Sequence, residues 1–468
     1  MEIKAAHLDM KSMIPTADYG LTVIDELAEQ GFNAIVVEFE DKFPFDVTQG
    51  LHHPCAWTKE EFRRFGIRCK EKNIKLVPLL QSVGHLDYIL KYPKFRNLRD
   101  GGPEGTSYQW CLALEESFDL WCAMTEELLE VFPDTEIFHI GADECNMKLP
   151  CEACGTNKID LYIKRVSRCA EYVQKKGMKA LLWDDVFRRY GADKFALLPK
   201  GVIPCVWMYG EIDFNYIERM AASGLEFWGA SCIQAHRFYY AMSPQEPKMA
   251  NVDEWGKVHP MYPQITGHIG TIWGRIECQS PIDSTLPQSM FMTAYLAETL
   301  NNGIIKDRKK FADDFGKKFF GVELDYDTML RNFCYEPEYS APIVAELKDK
   351  ALRHRDIAEI WYAFNAIDRR IFYINLCFAN NEAMLKIWRE GMAPDEVTSN
   401  WLDGVRRCYE DTMEVLAEIR PMMLKYFPEK MWDEFVDQRL GAKLEQNEYW
   451  RHVLTAAARK WKENLKKI

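Results

Sequence analysis

The sequence has no extended run of Lys and Arg before a short basic end, LysGluAsnLeuLysLys, and its formal charge is -12. A nucleic-acid backbone is gripped by a basic face, so a nucleic-acid partner is not expected. No stretch approaches the roughly 18 uninterrupted apolar residues that a membrane span requires, which sets the membrane aside as a partner. The first residues, MEIKAAHLDMKSM, lack both an apolar core segment and a small-residue cleavage site; without those secretory features the expected location is cytoplasmic. Neither an internal repeat nor a low-complexity linker is present. Cysteine is not scarce, at 14 residues, but it is scattered instead of framing a small domain. That distribution suits a reducing compartment in which thiols stay free or bind metal.

Hydrophobic residues make up 47% of the chain and charged residues 28%, the balance of a folded globular protein. Its 468 residues are long enough for a barrel of about 250 residues and a smaller partner. Aromatic residues reach 13%, with 14 Trp, several at the ends of apparent strands; sugar rings stack on such surfaces, although a Trp in the core is the commoner case.

From residue 5 to about 276, short apolar runs alternate with stretches of helical period, the pattern of repeated βα units. The runs are Ala5–Met10, Ala34–Phe39, Lys75–Leu80, Ile137–Ile140, Ala180–Trp183, Val202–Met208, Leu225–Ala230 and Ile269–Trp273. Amphipathic segments such as Tyr19–Gln30, Lys59–Lys72, Ser117–Val131 and Leu161–Lys176 lie between them, with Gly31 and Gly177 at two expected helix stops. The fold class is α/β, an eight-stranded (β/α) TIM barrel over residues 1–306. Residues 307–468 read as a C-terminal α-helical domain, carried by AELKDKALRHRDIAEIWYAF, DRRIFYINLCFANNEAMLKIW and LDGVRRCYEDTMEVLAEIR.

In such a barrel the chemistry sits at the C-terminal ends of the strands. The fourth run, IFHI, ends in Gly141-Ala142-Asp143-Glu144 and places two adjacent carboxylates at that rim. Adjacent side chains on an extended segment point in opposite directions, so the two are not expected to face each other as an acid and nucleophile would. They are given different tasks: one protonates a leaving oxygen, the other orients a group of the substrate. In isolation an Asp-Glu dipeptide is more commonly a pair of solvated loop acids, and its strand-end position is what argues otherwise.

His139-Ile140-Gly141-Ala142-Asp143-Glu144 resembles the H-x-G-[small]-D-E signature of the family 20 β-N-acetylhexosaminidases, and the likeness extends over roughly residues 3–300. Supporting stretches are Glu38-Phe39-Glu40-Asp41-Lys42-Phe43-Pro44, Gly84-His85, Trp183-Asp184-Asp185 and Trp273; the compact bacterial members with a helical C-terminal region are the most similar subgroup. The resemblance implies an exo-acting enzyme that removes terminal β-linked GlcNAc or GalNAc from a glycan or glycoconjugate. In that family the substrate's own acetamido oxygen attacks the anomeric carbon, an exception to the two-carboxylate scheme. Asp143 is then expected to orient the acetamido group and Glu144 to act as general acid, with a raised pKa. Asp41 and His85 are expected to support the acid as a relay. Trp183, Trp207 and Trp273 are expected to line the acetamido pocket with His139 and Asp184 at the same rim; Trp228 and Tyr209 are further candidates. No cofactor is needed for this catalysis.

Two positions depart from the family pattern. Lys11 stands where an Arg is usual, and Trp273-Gly274-Arg275-Ile276-Glu277 replaces Trp-x-Glu. Lys lacks the planar fork of Arg. Lys11 and Arg275 are therefore expected to line the outer sugar pocket, leaving open the choice between GlcNAc and GalNAc and room for a sulfate. Cys151-Glu152-Ala153-Cys154-Gly155 has the shape of a zinc knuckle; structural zinc on Cys145, Cys151 and Cys154 and free thiols both remain open. The alternatives to the hexosaminidase reading are a retaining glycosidase of another sugar with a protein nucleophile, such as Asp184, Asp185 or Glu277, and a non-catalytic sugar-binding barrel. A homodimer is also left open.

Overall fold

The computed structural model describes residues 2–234, 245–275, 282, 285–324, 327–328, 337–389 and 395–466. Its strands are β1 (Ile3–Asp9), β2 (Ala34–Glu38), β3 (Lys75–Leu79), β4 (Arg99–Asp100), β5 (Thr106–Trp110), β6 (Ile137–His139), β7 (Lys179–Trp183), β8 (Ile203–Trp207), β9 (Phe227–Gln234) and β10 (Ile265–Ile272). Eight of them close into a parallel barrel in the order β1, β10, β9, β8, β7, β6, β3, β2, while β4 and β5 form a separate antiparallel pair. This is the expected TIM barrel. Parallel strands covered on both faces read as nearly continuous apolar runs, and every residue of β2, Ala-Ile-Val-Val-Glu, is buried.

The helices between the strands begin and end where their caps dictate. Thr16 accepts the Tyr19 N–H at the start of the helix Ala17–Gln30, and Gly31 ends it in a left-handed conformation, φ 89°. Thr58 and Glu61 form a reciprocal capping box on Lys59–Glu71. Val36, Val77, Leu79, Leu181, Cys205, Trp228 and Ile269 belong to one buried cluster, against which Trp207 and Trp273 pack.

Two strands are longer than the sequence predicts. β9 runs on to Gln234, past Ala230, and β10 starts at Ile265 rather than Ile269. The polar residues that hide these extensions are Ser231 and His268, which satisfy each other inside the sheet, 2.9 Å from Oγ to Nε2. This lengthening relocates Trp228. It is the second residue of β9, far from the rim, with its ring where any Cβ on Gly267 would stand. Trp228 is a core residue, and the expectation that it reaches the sugar is corrected.

The chain divides into two compact units, with the boundary between Phe311 and Ala312. The second unit is helical, as expected, with helices Pro337–Lys350, Arg355–Arg389, Asp395–Met423, Glu429–Val436 and Ala442–Leu465. Ile357, Trp361, Phe364, Met431, Trp432, Phe435 and Leu454 are buried in it, and Arg439 pairs with buried Asp368 at 3.3 Å. The apparent helix over 345–364 is broken at 351–354, where His354 has φ 44°. Among the described residues no helix is long and apolar enough to cross a membrane.

Candidate active site

β6 ends at His139, and the chain then turns left-handed at Gly141 (φ 65°), Ala142 (φ 79°) and Glu144 (φ 49°). At Gly141 a Cβ would overlap the Gln81 amide, so only glycine fits. Non-glycine residues in this region cost on the order of 1–3 kcal/mol each, and such strain concentrates at functional sites. Its effect here is directional. The segment is not extended, so the two carboxylates do not alternate: Asp143 Oδ2 lies 3.3 Å and Glu144 Oε2 3.5 Å from the same atom, Nε2 of His85. The expectation that they turn apart is corrected, because it carried strand geometry from His139, where β6 ends, on to Asp143 and Glu144.

His85 itself sits at φ 52° in the loop after β3. Tyr108, from β5, brings its hydroxyl 2.9 Å from His85 Nε2 and 3.4 Å from Glu144 Oε2. Backbone hydrogen bonds from Leu86 N–H to Tyr108 O and from Trp110 N–H to Val83 O fix the hairpin against this loop. Asp143 is largely buried, its side chain 10% exposed, whereas that of Glu144 is 52% exposed. One carboxylate is thus enclosed and the other faces solvent.

The charges follow from these contacts. Burial opposes a charge on His85, but Asp143 and its hydrogen bond, together with Glu144, outweigh it and hold the ring's pKa well above the usual imidazole value. Contact with that ring holds Glu144 below the usual carboxyl range, against the opposing effect of burial. The raised pKa expected for Glu144 is therefore corrected for the free protein: the proton of this pair rests on His85. The expected relay through Asp41 is not assembled either. Asp41 meets Lys42 at 2.6 Å and Lys91 at 3.8 Å, while His85 Nδ1 is buried without a hydrogen-bond partner.

Burial pushes Asp184 up to about 6 and Asp185, with the charges of Asp143 and Asp184 added, up to about 7. Both are held by backbone: Asp184 accepts the Trp207 N–H at 3.3 Å, and Asp185 accepts the Glu144 N–H at 3.1 Å. Asp185 therefore fixes the strained turn. His139 accepts the Gly141 N–H at 3.0 Å and packs against Trp183 at a 49° tilt, ring centres 4.4 Å apart; burial lowers its pKa to about 3. It is a buried neutral support.

Trp183, fully buried, stands 6.1 Å from the Trp273 ring, and Trp207 stands 5.2 Å from Tyr209. Trp273 donates its indole N–H to the Tyr209 hydroxyl at 2.8 Å. Trp183 on β7, Trp207 on β8, Tyr209 just after β8 and Trp273 just after β10 thus form one aromatic wall. Lys11 lies at its edge, 4.8 Å from the Trp273 ring centre. It is only 2% exposed, with its ammonium 2.9 Å from Glu38, 3.3 Å from Asp9 and 3.8 Å from Glu40. Although burial opposes its charge, those three acids raise its pKa well above the usual value. Arg275 is buried beside it and donates to the Lys11 carbonyl at 3.5 Å. Glu277 lies outside the described residues.

The model of the glycosyl hydrolase family 20 catalytic domain matches residues 28–266. The chain belongs to glycosyl hydrolase family 20. It is similar to Hexosaminidase D of Homo sapiens, 26% identical over 332 residues that span 66% of this chain and 68% of that protein. Hexosaminidase D of Bos taurus is 25% identical over 329 residues, 66% of this chain and 94% of that one. Among solved structures, the β-N-acetylhexosaminidase of Bacteroides fragilis superposes with TM-score 0.51 at 16% identity, covering 68% of this chain and 69% of that one, a likeness of fold.

Within this family 20 hydrolase, the sequence reading missed Tyr108 and overlooked what Asp185 does. Tyr108 carries no motif and lies in a hairpin outside the barrel strands; the only signal was an aromatic residue beside the apolar Trp110-Cys111-Leu112. The cysteine cluster also differs from expectation. Cys145 is buried elsewhere, with burial pushing its thiol up to about 12. The residues gathered around Cys151 and Cys154 are Cys111 and Asp100.

Proposed function

We propose that this family 20 hydrolase is an exo-acting β-N-acetylhexosaminidase that cleaves terminal β-linked GlcNAc or GalNAc with retention, using the substrate's acetamido oxygen as nucleophile. The observation that carries this reading is the convergence of Asp143 and Glu144 on His85 Nε2, at 3.3 and 3.5 Å, beside an aromatic wall suited to an acetamido methyl. The acetamido oxygen attacks the anomeric carbon as the glycosidic oxygen leaves with a proton from Glu144. Asp143 faces the acetamido N–H and stabilises the charge of the oxazolinium. Glu144, now ionised, takes a proton from water, whose oxygen attacks the same carbon and restores the acetamide. His85 and Glu144 hold one proton between them, on His85 at rest and on Glu144 when the leaving group is protonated.

A protein nucleophile is disfavoured by the state of the neighbouring acids. Asp184 and Asp185 are buried, bonded to backbone N–H groups and raised to about 6 and 7, which leaves neither as an open, fully ionised carboxylate. A panel of aryl β-glycosides with and without a 2-acetamido group tests the reading. Cleavage confined to the 2-acetamido sugars is the expected result. Equal cleavage of the 2-hydroxy sugars would overturn the substrate-assisted route, and no cleavage of any would make the barrel a sugar binder.

A further inference from the structure

Below the catalytic loop, Asp100, Cys111, Cys151 and Cys154 each present one ligand atom, all within 4.8 Å of one another. The Cys111 sulfur is 3.6 Å from that of Cys151 and 3.4 Å from that of Cys154, and the Cys154 sulfur is 3.7 Å from Asp100 Oδ1. Thiolates at about 2.3 Å from a tetrahedral zinc stand about 3.8 Å from each other, so these spacings need almost no adjustment. The other oxygen of Asp100 is already fixed: Oδ2 accepts from Lys158 Nζ at 2.5 Å and from Gln109 Nε2 at 2.6 Å, and Oδ1 is left toward the sulfurs. Gly155 N–H bonds back to Cys151 O at 3.0 Å, closing the tight turn of the C-x-x-C pair.

We propose that these four residues form a structural zinc site, with three thiolates and one carboxylate as ligands. Charge supports the choice of a divalent cation. With a metal bound, three thiolates and Asp100 would carry four negative charges, more than Lys158 beside Asp100 and Arg165 near Cys111 offset. A disulfide is the other chemistry open to close thiols. It would use two of the three sulfurs and give no role to the third or to the orientation of Asp100.

The site joins segments far apart in sequence. Asp100 lies in β4 and Cys111 directly follows β5, while Cys151 and Cys154 follow Glu144. Gln109 adds a second tie, accepting the Asn146 N–H at 2.8 Å and donating to its carbonyl at 3.2 Å. The metal therefore clamps the strand that carries Tyr108 to the loop that begins at Glu144. It touches no substrate and acts as a positioning element. That role rests on the activity reading above, whereas the metal itself does not.

Metal analysis of the full chain purified without chelator is expected to find one zinc per chain. Cys111→Ser, Cys154→Ser and Asp100→Asn are each expected to lower zinc retention against a competing chelator by at least about tenfold, while Cys145→Ser retains it. Since a ligand variant can fail to fold, the wild-type protein is also exchanged into cobalt, which is expected to give the visible absorption of a tetrahedral thiolate site. Hydrogen exchange of zinc-stripped protein is expected to speed up over 99–111 and 145–155, with the barrel strands unchanged. Wild-type protein that takes up neither zinc nor cobalt would overturn the site. So would zinc lost in Cys145→Ser and kept in Cys111→Ser. These readouts need no glycosidase activity, so the metal site and the proposed reaction fail separately.

Discussion

The Tyr108 hydroxyl lies 2.9 Å from His85 Nε2, which ties a hairpin outside the barrel to the ring that both rim carboxylates share. A hydrogen bond to a charged group contributes about 1.5–3 kcal/mol. Tyr108→Phe removes the contact while leaving the ring, and kcat on an aryl N-acetylhexosaminide is expected to fall about tenfold or more with little change in KM. An unchanged kcat would show the hydroxyl to be a bystander.

His85→Asn should move the pH profile in a defined direction. In the wild type the pair keeps its proton until the pH passes the raised pKa of His85, so the alkaline limb of kcat/KM lies above the ordinary imidazole value of about 6.5. Without the ring, Glu144 holds the proton alone, as a carboxyl group that titrates below an imidazole. The alkaline limb is expected to shift to lower pH by about one unit or more, read from rates between pH 4 and 9. A limb that stays in place would separate His85 from the proton.

For Glu144→Gln, loss of a general acid predicts a fall of about 10²–10⁴ on natural glycans. The loss is expected to be smaller on aryl glycosides whose leaving group needs no proton. Comparing two aglycones of different leaving ability makes the check, and equal losses on both would remove Glu144 from the acid role.

Lys11 is the buried cation among Asp9, Glu38 and Glu40. Removing one partner of a buried ionic group typically costs about 3–5 kcal/mol, because the remaining charges are left unpaired. Lys11→Met is accordingly expected to lower the thermal midpoint by several degrees, as measured by circular dichroism. A melt that matches the wild type alongside a raised KM would make Lys11 a substrate contact with no role in stability.

The barrel was legible because its strands are buried on both faces and so written as apolar runs. Legibility failed where buried polar residues satisfy each other, as Ser231 and His268 do, and with it went the placement of Trp228. Asp143 and Glu144 could be located from their motif, but their convergence on one nitrogen depends on left-handed turns at Ala142 and Glu144, residue types that carry no such signal. Cys111 and Asp100 were invisible for another reason: the β4–β5 pair brings them to Cys151 and Cys154 from about forty to fifty positions away, and no local spacing records that.

The β4–β5 hairpin makes no strand pairing with the barrel, yet it holds Tyr108 against His85. Hydrogen bonds to the β3 loop and to Asn146 hold it there, outside the barrel's own ladder, so its opening is a step separate from unfolding of the parallel sheet. Heat would then silence this protein in two stages, the first a reversible loss of turnover in a chain whose sheet is still intact. The temperature at which turnover is lost is then expected to report the hairpin, and that at which the sheet is lost the barrel.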